Sequence, residues 1–211
     1  MDFLFIALTF VIFAYLVRHY IFTITVLRRS KIDKGQGNTE KVLYEPTVSI
    51  LIPAHNEQEV IGKLLEKTVS LSYPGSKFEV IVIDDASSDN TGKIAEEYAR
   101  SSRNIKVLHR DKTIGGKGKA AALNAALKQA TGEIVLCFDA DYLPNKNIVE
   151  KLVEKFSDLK VGAVQGRPVV INEPLNIVTR LVALERIGGY RVDQEARDVL
   201  GLVPQFGGTI G

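Results

Sequence analysis

Two aspartates separated by one residue close an apolar run: Ile134-Val135-Leu136-Cys137-Phe138-Asp139-Ala140-Asp141. In an extended chain residues i and i+2 point to the same side, so Asp139 and Asp141 can converge on one point. Two carboxylates at the rim of a buried strand repel each other and lose hydration, which a cation offsets. Oxygen donors of this kind suit Mg²⁺ or Mn²⁺. A polar turn at a strand end is the plain alternative, so the rest of the chain has to decide.

Three other polar clusters share the same sequence position, after a short apolar run and before a helical pattern. They are Pro53-Ala54-His55-Asn56-Glu57, Asp84-Asp85-Ala86-Ser87-Ser88-Asp89 and Gly115-Gly116-Lys117-Gly118-Lys119. Glycines let backbone N–H groups approach an anion, and lysines supply charge for a diphosphate. The third cluster is not a Walker A loop, since Gly118-Lys119 is followed by alanine. Gly116-Lys117-Gly118-Lys119-Ala120-Ala121 does fit the dinucleotide G-x-G-x-x-A pattern, but it follows the third strand and not the first. Some of these polar residues are expected as helix caps: Ser88 or Asp89 for the second helix of the α/β region, and Asn56 for the first.

The elements that must position these clusters are legible from periodicity. Apolar strands are expected at Val48 to Pro53, Phe78 to Ile83, Ile105 to Leu108 and Ile134 to Phe138, with Val161 to Gln165 as a further apolar segment. Helices are expected at Glu57 to Ser72, Asp89 to Ser101, Lys119 to Ala130 and Asn145 to Phe156. Strands apolar throughout are buried on both faces, which with helical crossovers means an α/β fold with a mainly parallel sheet flanked by helices. Ligands in such sheets sit at the carboxyl ends of the strands, where all four clusters fall.

Ahead of this lies Phe3 to Leu27: Phe3 to Val17 is apolar except for Thr9, Ile21 to Leu27 is mostly apolar, and Arg18-His19-Tyr20 stands between them. As a helix it would be roughly 37 Å long, enough to cross a hydrocarbon core of about 30 Å. Arg18 would have to snorkel or face protein. Arg28, Arg29 and Lys31 follow, while only Asp2 precedes. The positive-inside rule then puts the downstream chain in the cytoplasm, tethered to the cell membrane. The expected division is residues 1–29 as a membrane anchor helix, 30–46 as a polar linker and 47–211 as the α/β domain. Ile177, Leu181, Leu184 and Ile187 recur at helical spacing within 174–190, which predicts core packing or, failing that, contact with a membrane or another domain.

The 211 residues, 45% hydrophobic, describe a globular chain, and a net charge of +2 carries no nucleic-acid footprint. The single cysteine, Cys137, excludes a disulfide framework and is expected to pack as a small hydrophobe. His19, His55 and His109 have no zinc-ligand spacing.

Taken in order, residues 47–211 resemble the inverting glycosyltransferases of family two, with a nucleotide-sugar-binding domain of the GT-A type. The apolar amino terminus resembles the membrane-bound processive branch, which includes cellulose, chitin, hyaluronan and poly-N-acetylglucosamine synthases. The resemblance implies a nucleoside-diphosphate sugar donor, most often UDP-linked, a divalent metal, Mg²⁺ or Mn²⁺, and a carbohydrate or lipid-linked acceptor. It implies nucleoside contacts at Ala54 and Glu57 and a base contact at Asp85. The segment Gly118-Lys119-Ala120-x-Ala122-Leu123-Asn124 would lie near the diphosphate and ribose. Asp141 would ligate the metal, and Asp139 would contact the donor sugar or ribose. Gln165-Gly166-Arg167-Pro168 resembles the strand segment after the metal pair, and Phe206-Gly207-Gly208-Thr209 the loop lining the acceptor site. The family's catalytic base is an Asp in a motif beyond that loop, and processive members add a Gln-x-x-Arg-Trp motif. The sequence ends at Gly211 without a tryptophan, so the base is expected beyond it and the 211 residues are expected to be a fragment or a split product. Three other readings stay open: a nucleotide-sugar-binding subunit without a base, a nucleotidyltransferase and an NAD-dependent oxidoreductase.

Overall fold

A computed structural model describes residues 2–33, 44–171, 175–203, 205 and 210–211; for residues 2 and 30–33 it describes the backbone alone. The chain divides into two compact units, one of Val42–Gly166 with Gly207–Gly211, the other of Met1–Lys41 with Arg167–Phe206.

The first unit is built on four parallel strands, β1 (Val48–Ala54), β2 (Phe78–Asp85), β3 (Ile105–Arg110) and β4 (Ile134–Cys137), in the order β3-β2-β1-β4. The register pairs Ala54 with Asp84, and Asp85 with Arg110. Both faces are covered, as uninterrupted apolar strands require. Ile50, Ile52, Val80 and Val82 pack with α2 (Ile61–Val69), α3 (Thr91–Ser101) and α5 (Ile148–Val153). Leu51, Ile81 and Ile83 pack with Ala122 and Ala126 of α4 (Lys119–Leu127), whose alanines let the helix sit close to the sheet. Because the chain moves from β1 to β2 and β3 on one side and returns with β4 on the other, the strand order switches at β1/β4. A crevice opens there at the carboxyl ends.

Several boundaries differ from the sequence pattern. The first helix of this unit starts at Ile61, not Glu57, because residues 57–60 form a separate turn in which the Glu57 carbonyl accepts from Val60 and Ile61 N–H at 3.1 and 3.0 Å. Asn56 therefore caps no helix; its φ of 57° places it in the left-handed region, where its Oδ1 accepts from Ser88 N–H at 2.8 Å. Asp89 does serve the start of α3, accepting from Thr91 N–H at 2.9 Å. The helix expected from Asn145 is α5 followed by a short 3₁₀ turn, Glu154–Ser157. Val161 to Gln165 forms no strand. The free edge of β4 is taken by Ile210 and Gly211, through an antiparallel bridge Phe138–Ile210 and a 2.7 Å bond from Cys137 N–H to the Gly211 carbonyl. Gly166 N–H in turn reaches the Ile210 carbonyl at 3.0 Å. Cys137 is half-buried, and burial pushes its thiol pKa up, as for a packed thiol.

In the second unit α1 (Asp2–Asp33) contains one stretch, Phe3–Arg29, long and apolar enough to cross a membrane. It packs on a π-helical turn, Ile187–Gln194, and on α7 (Glu195–Val199), with Phe22, Val26 and Ala196 buried together. Arg18 faces protein, its guanidinium 2.8 Å from Asp193 and over the Tyr15 and Phe22 rings; Arg29 pairs with Asp198 at 2.7 Å. The helix α6 (Ile177–Arg186) does not pack as a core element: Ile177 and Leu184 are 74% and 63% exposed, and Ala183 alone of its residues is buried.

Candidate active site

At the β1/β4 switch a cavity of about 410 Å³ is lined by Pro53, Ala54, His55, Glu57, Asp85, Gly116, Gly118, Lys119, Ala122, Asp139, Ala140 and Asp141. Seven residues singled out by sequence, Ala54, Glu57, Asp85, Gly118, Lys119, Asp139 and Asp141, thus share one concavity. Phe206, Gly207, Gly208 and Thr209 lie outside the described residues.

The left wall comes from the loops after β1 and β2, which are stitched together. Asn56 N–H donates to Ser87 Oγ at 3.1 Å, Glu57 N–H to Thr91 Oγ1 at 2.8 Å and Gln58 N–H to Asp89 Oδ2 at 3.2 Å. His55 Nδ1–H donates to the Asp85 carbonyl at 2.7 Å. Most of the acidic cluster after β2 is consumed in this stitching. Asp84 points to the opposite face of the sheet, against α3, accepting from Ser87 N–H at 3.1 Å and pairing with His109 Nδ1 at 3.0 Å. Asp85 alone faces the cavity, and its carboxylate is nearly sealed, with a side chain 6% exposed against the 7% exposed Arg110 that pairs with it.

The floor and right wall come from α4 and the turn after β4. Gly118, at φ 88°, is the residue before α4; it accepts from Ala121 and Ala122 N–H and aims the helix start at the cavity. A helix start presents N–H groups without intrahelical acceptors and a positive dipole end, the arrangement an anion binds. Asp139 and Asp141 lie in a turn closed by Tyr142 N–H to the Asp139 carbonyl at 3.0 Å, not in an extended strand. The turn still brings both to the same cavity, but their environments differ. Asp139 pairs with the Lys119 ammonium, while Asp141 is exposed and makes no hydrogen bond or ion pair among the described residues.

Sequence reasoning missed Arg110. Its signal was available, since it ends the third apolar run at the same sheet edge as the acidic clusters, but a lone arginine there has no motif.

The match to known proteins agrees with this geometry. The family model described as Glycosyl transferase family 2 matches residues 49–206. The chain belongs to glycosyl transferase family 2. It is 40% identical over 157 residues to the probable glycosyltransferase YdaM of Bacillus subtilis, covering 74% of this chain and 37% of YdaM. It is 38% identical over 144 residues to the beta-monoglucosyldiacylglycerol synthase of Synechocystis, covering 68% of this chain and 30% of that protein. The matched region thus spans about a third of these relatives' length, 37% and 30%. Among solved structures it resembles the mannosyltransferase PcManGT of Pyrobaculum calidifontis, solved with GDP-Man and Mn²⁺, at a TM-score of 0.57 and 31% identity over 73% of this chain and 46% of that one. As a member of a glycosyltransferase family with this sheet, the first unit has the GT-A type of fold.

Proposed function

We propose that the chain is the donor-binding part of a membrane-anchored enzyme that transfers a sugar from a nucleoside diphosphate, UDP foremost, to a polysaccharide or glycolipid acceptor with inversion. The observation that carries this reading is the single cavity holding Asp85, the α4 start with Gly118 and Lys119, and the Asp139/Asp141 turn. Its two ends match the two ends of a nucleoside diphosphate. Ala54, Glu57 and the buried Asp85 form the nucleoside end, where a carboxylate oxygen selects a base with a ring N–H. Gly118 and Lys119 form the diphosphate end.

The residues fit a divalent metal of the Mg²⁺ or Mn²⁺ type. Such ions are held by one or two carboxylates together with substrate phosphates, not by a closed protein cage. Asp141 offers an exposed carboxylate with no partner among the described residues, which also include no group of three ligating side chains that would form a cage. When bound there, the ion would neutralise the departing diphosphate. Lys119 adds positive charge at the same place, and in its absence of a donor stays on Asp139. With a donor bound, transfer of the Lys119 ammonium from Asp139 to the diphosphate would leave Asp139 to accept from a hydroxyl of the sugar or ribose.

The apolar stretch Phe3–Arg29 supports a membrane anchor, and the basic residues after it support a cytoplasmic site. The boundaries that follow are an anchor over residues 1–29, a linker over 30–46 and the glycosyltransferase domain over 47–211, with the acceptor loop at Phe206, Gly207, Gly208 and Thr209. The test is transfer by the longer enzyme: membranes expressing it, given radiolabelled UDP-glucose, UDP-N-acetylglucosamine or GDP-mannose, should yield labelled lipid or polymer from one donor. Label recovered only as unreacted donor in all three would contradict the reading.

A further inference from the structure

We infer that Arg110 is a positioning residue that couples the nucleoside end of the cavity to its diphosphate end. The inference rests on the donor-site assignment above. Arg110 closes β3 directly beside Asp85 in the sheet register, and its side chain is 7% exposed. One guanidinium nitrogen, Nη1, donates to Asp85 Oδ1, and the other, Nη2, to the Ile114 carbonyl. The first partner lines the cavity; the second lies in the loop that leads to Gly118 and Lys119.

That loop segment is tied into a knot. Asp111 Oδ1 accepts from Thr113 N–H at 2.8 Å, and the Asp111 carbonyl accepts from Ile114 and Gly115 N–H at 3.2 and 2.6 Å. Gly115 lies against the end of β2, where an added Cβ would come 2.8 Å from the Ala86 Cβ and 2.8 Å from the Asp111 carbonyl oxygen. Ala86 itself holds φ 62°, a conformation an L residue keeps only where its surroundings impose it. Beyond the knot, Gly116 and Gly118 have φ of 70° and 88° and nothing near their Cβ positions. The knot is therefore the last fixed point before two permissive glycines. Arg110 sets where that point lies relative to Asp85.

A planar guanidinium can hold two acceptors in fixed directions; an ammonium in the same place is a single point charge and does not reproduce the fork. Arg110→Lys should therefore keep a cation on Asp85 but release the Ile114 carbonyl. Gly115→Ala crowds the Ala86 Cβ and the Asp111 and Arg110 carbonyls, which displaces the knot while keeping both the guanidinium and its Asp85 partner in the sequence. The measurement is calorimetric affinity of the full chain, in detergent with Mn²⁺, for UDP and for uridine, with GDP and guanosine as the second pair. The ratio of the two affinities reports how well the diphosphate end is set. In both variants uridine affinity should stay within about threefold of wild type, while the UDP-to-uridine ratio falls roughly tenfold or more, the scale of a hydrogen bond to a charged group. A purely structural role lowers both affinities together and leaves the ratio unchanged. An unchanged ratio in Arg110→Lys overturns this inference alone. If Arg110→Lys does not fold, as a melting curve shows, an unchanged ratio in Gly115→Ala does so instead. Failure of wild type to bind either diphosphate more tightly than its nucleoside overturns the donor-site assignment and this inference with it.

Discussion

Lys119, the first residue of α4, donates to the carboxylate of Asp139 across the cavity, so the cation at the helix start and an acid of the turn after β4 neutralise each other. The pair is open to solvent, with side chains 40% and 30% exposed. Exposed pairs contribute at most about 1 kcal/mol to stability. Lys119→Met should accordingly leave the melting temperature nearly unchanged. It should weaken UDP binding by roughly 10- to 100-fold, because a charge-assisted contact to phosphate is lost. Isothermal calorimetry beside a thermal melt separates the two effects, and unaltered affinity would remove Lys119 from the diphosphate site.

Asn56 tests the stitching of the first two loops. It occupies the left-handed region and its amide oxygen satisfies Ser88 N–H at 2.8 Å. Both Asn56→Gly and Asn56→Ala lose that bond, but only alanine also resists the backbone conformation. Urea unfolding should rank wild type above Asn56→Gly and Asn56→Gly above Asn56→Ala, with the alanine variant down by about 1–3 kcal/mol. Alanine as stable as glycine would mean that the backbone geometry at 56 carries no cost.

The apolar runs placed the four strands and the ligand edge because periodicity and burial on both faces leave little choice of topology. The order of the clusters then brought Ala54, Glu57, Asp85, Gly118, Lys119, Asp139 and Asp141 to one cavity. What local patterns could not show was partnership. Asp84 and Asp85 are neighbours of the same type, yet strand alternation sends them to opposite faces of the sheet, one to His109 and the other to Arg110. Asn56 carries a good capping side chain but belongs to a cross-loop bond with Ser88, which depends on β1 and β2 being paired. Helical spacing at Ile177 to Ile187 predicted an amphipathic helix correctly and its burial wrongly, since spacing fixes a face but not what covers it.

Glu79 ties the lower edge of the sheet and gives it a pH dependence. Burial alone would raise its pKa, but hydrogen bonds from Lys106, Thr131 and Ser49 outweigh that and hold it down at about 2, against an ordinary 4.5. A depressed carboxylate stabilises above its unfolded pKa and loses that contribution as pH falls through the folded one. The window is therefore pH 4.5 down to about 2, and the shift corresponds to roughly 3 kcal/mol. Glu79→Gln should be clearly less stable than wild type at pH 7, with the gap closing towards pH 2.5. A constant gap in urea midpoints across that range would contradict this.

Gly132 precedes β4 where the backbone of β1 crosses it. A Cβ there would lie 2.4 Å from Ser49 N and 2.6 Å from the Val48 carbonyl carbon, both main-chain atoms that cannot turn aside. Gly132→Ala should cost about 1–3 kcal/mol or more by forcing the strands apart. A denaturation midpoint equal to wild type would show that this edge yields freely.

The cavity is proposed to bind a nucleoside diphosphate through a metal held by Asp141. The direct measurement is calorimetry of UDP and of GDP binding to wild type and Asp141→Asn, each with and without Mn²⁺. For one of the two nucleotides, Mn²⁺ should strengthen binding to wild type by roughly tenfold or more, the scale of an added charge-assisted contact, and should add nothing to Asp141→Asn. Equal affinity in all four conditions for both nucleotides, or a Mn²⁺ effect that survives in Asp141→Asn, would contradict that binding mode.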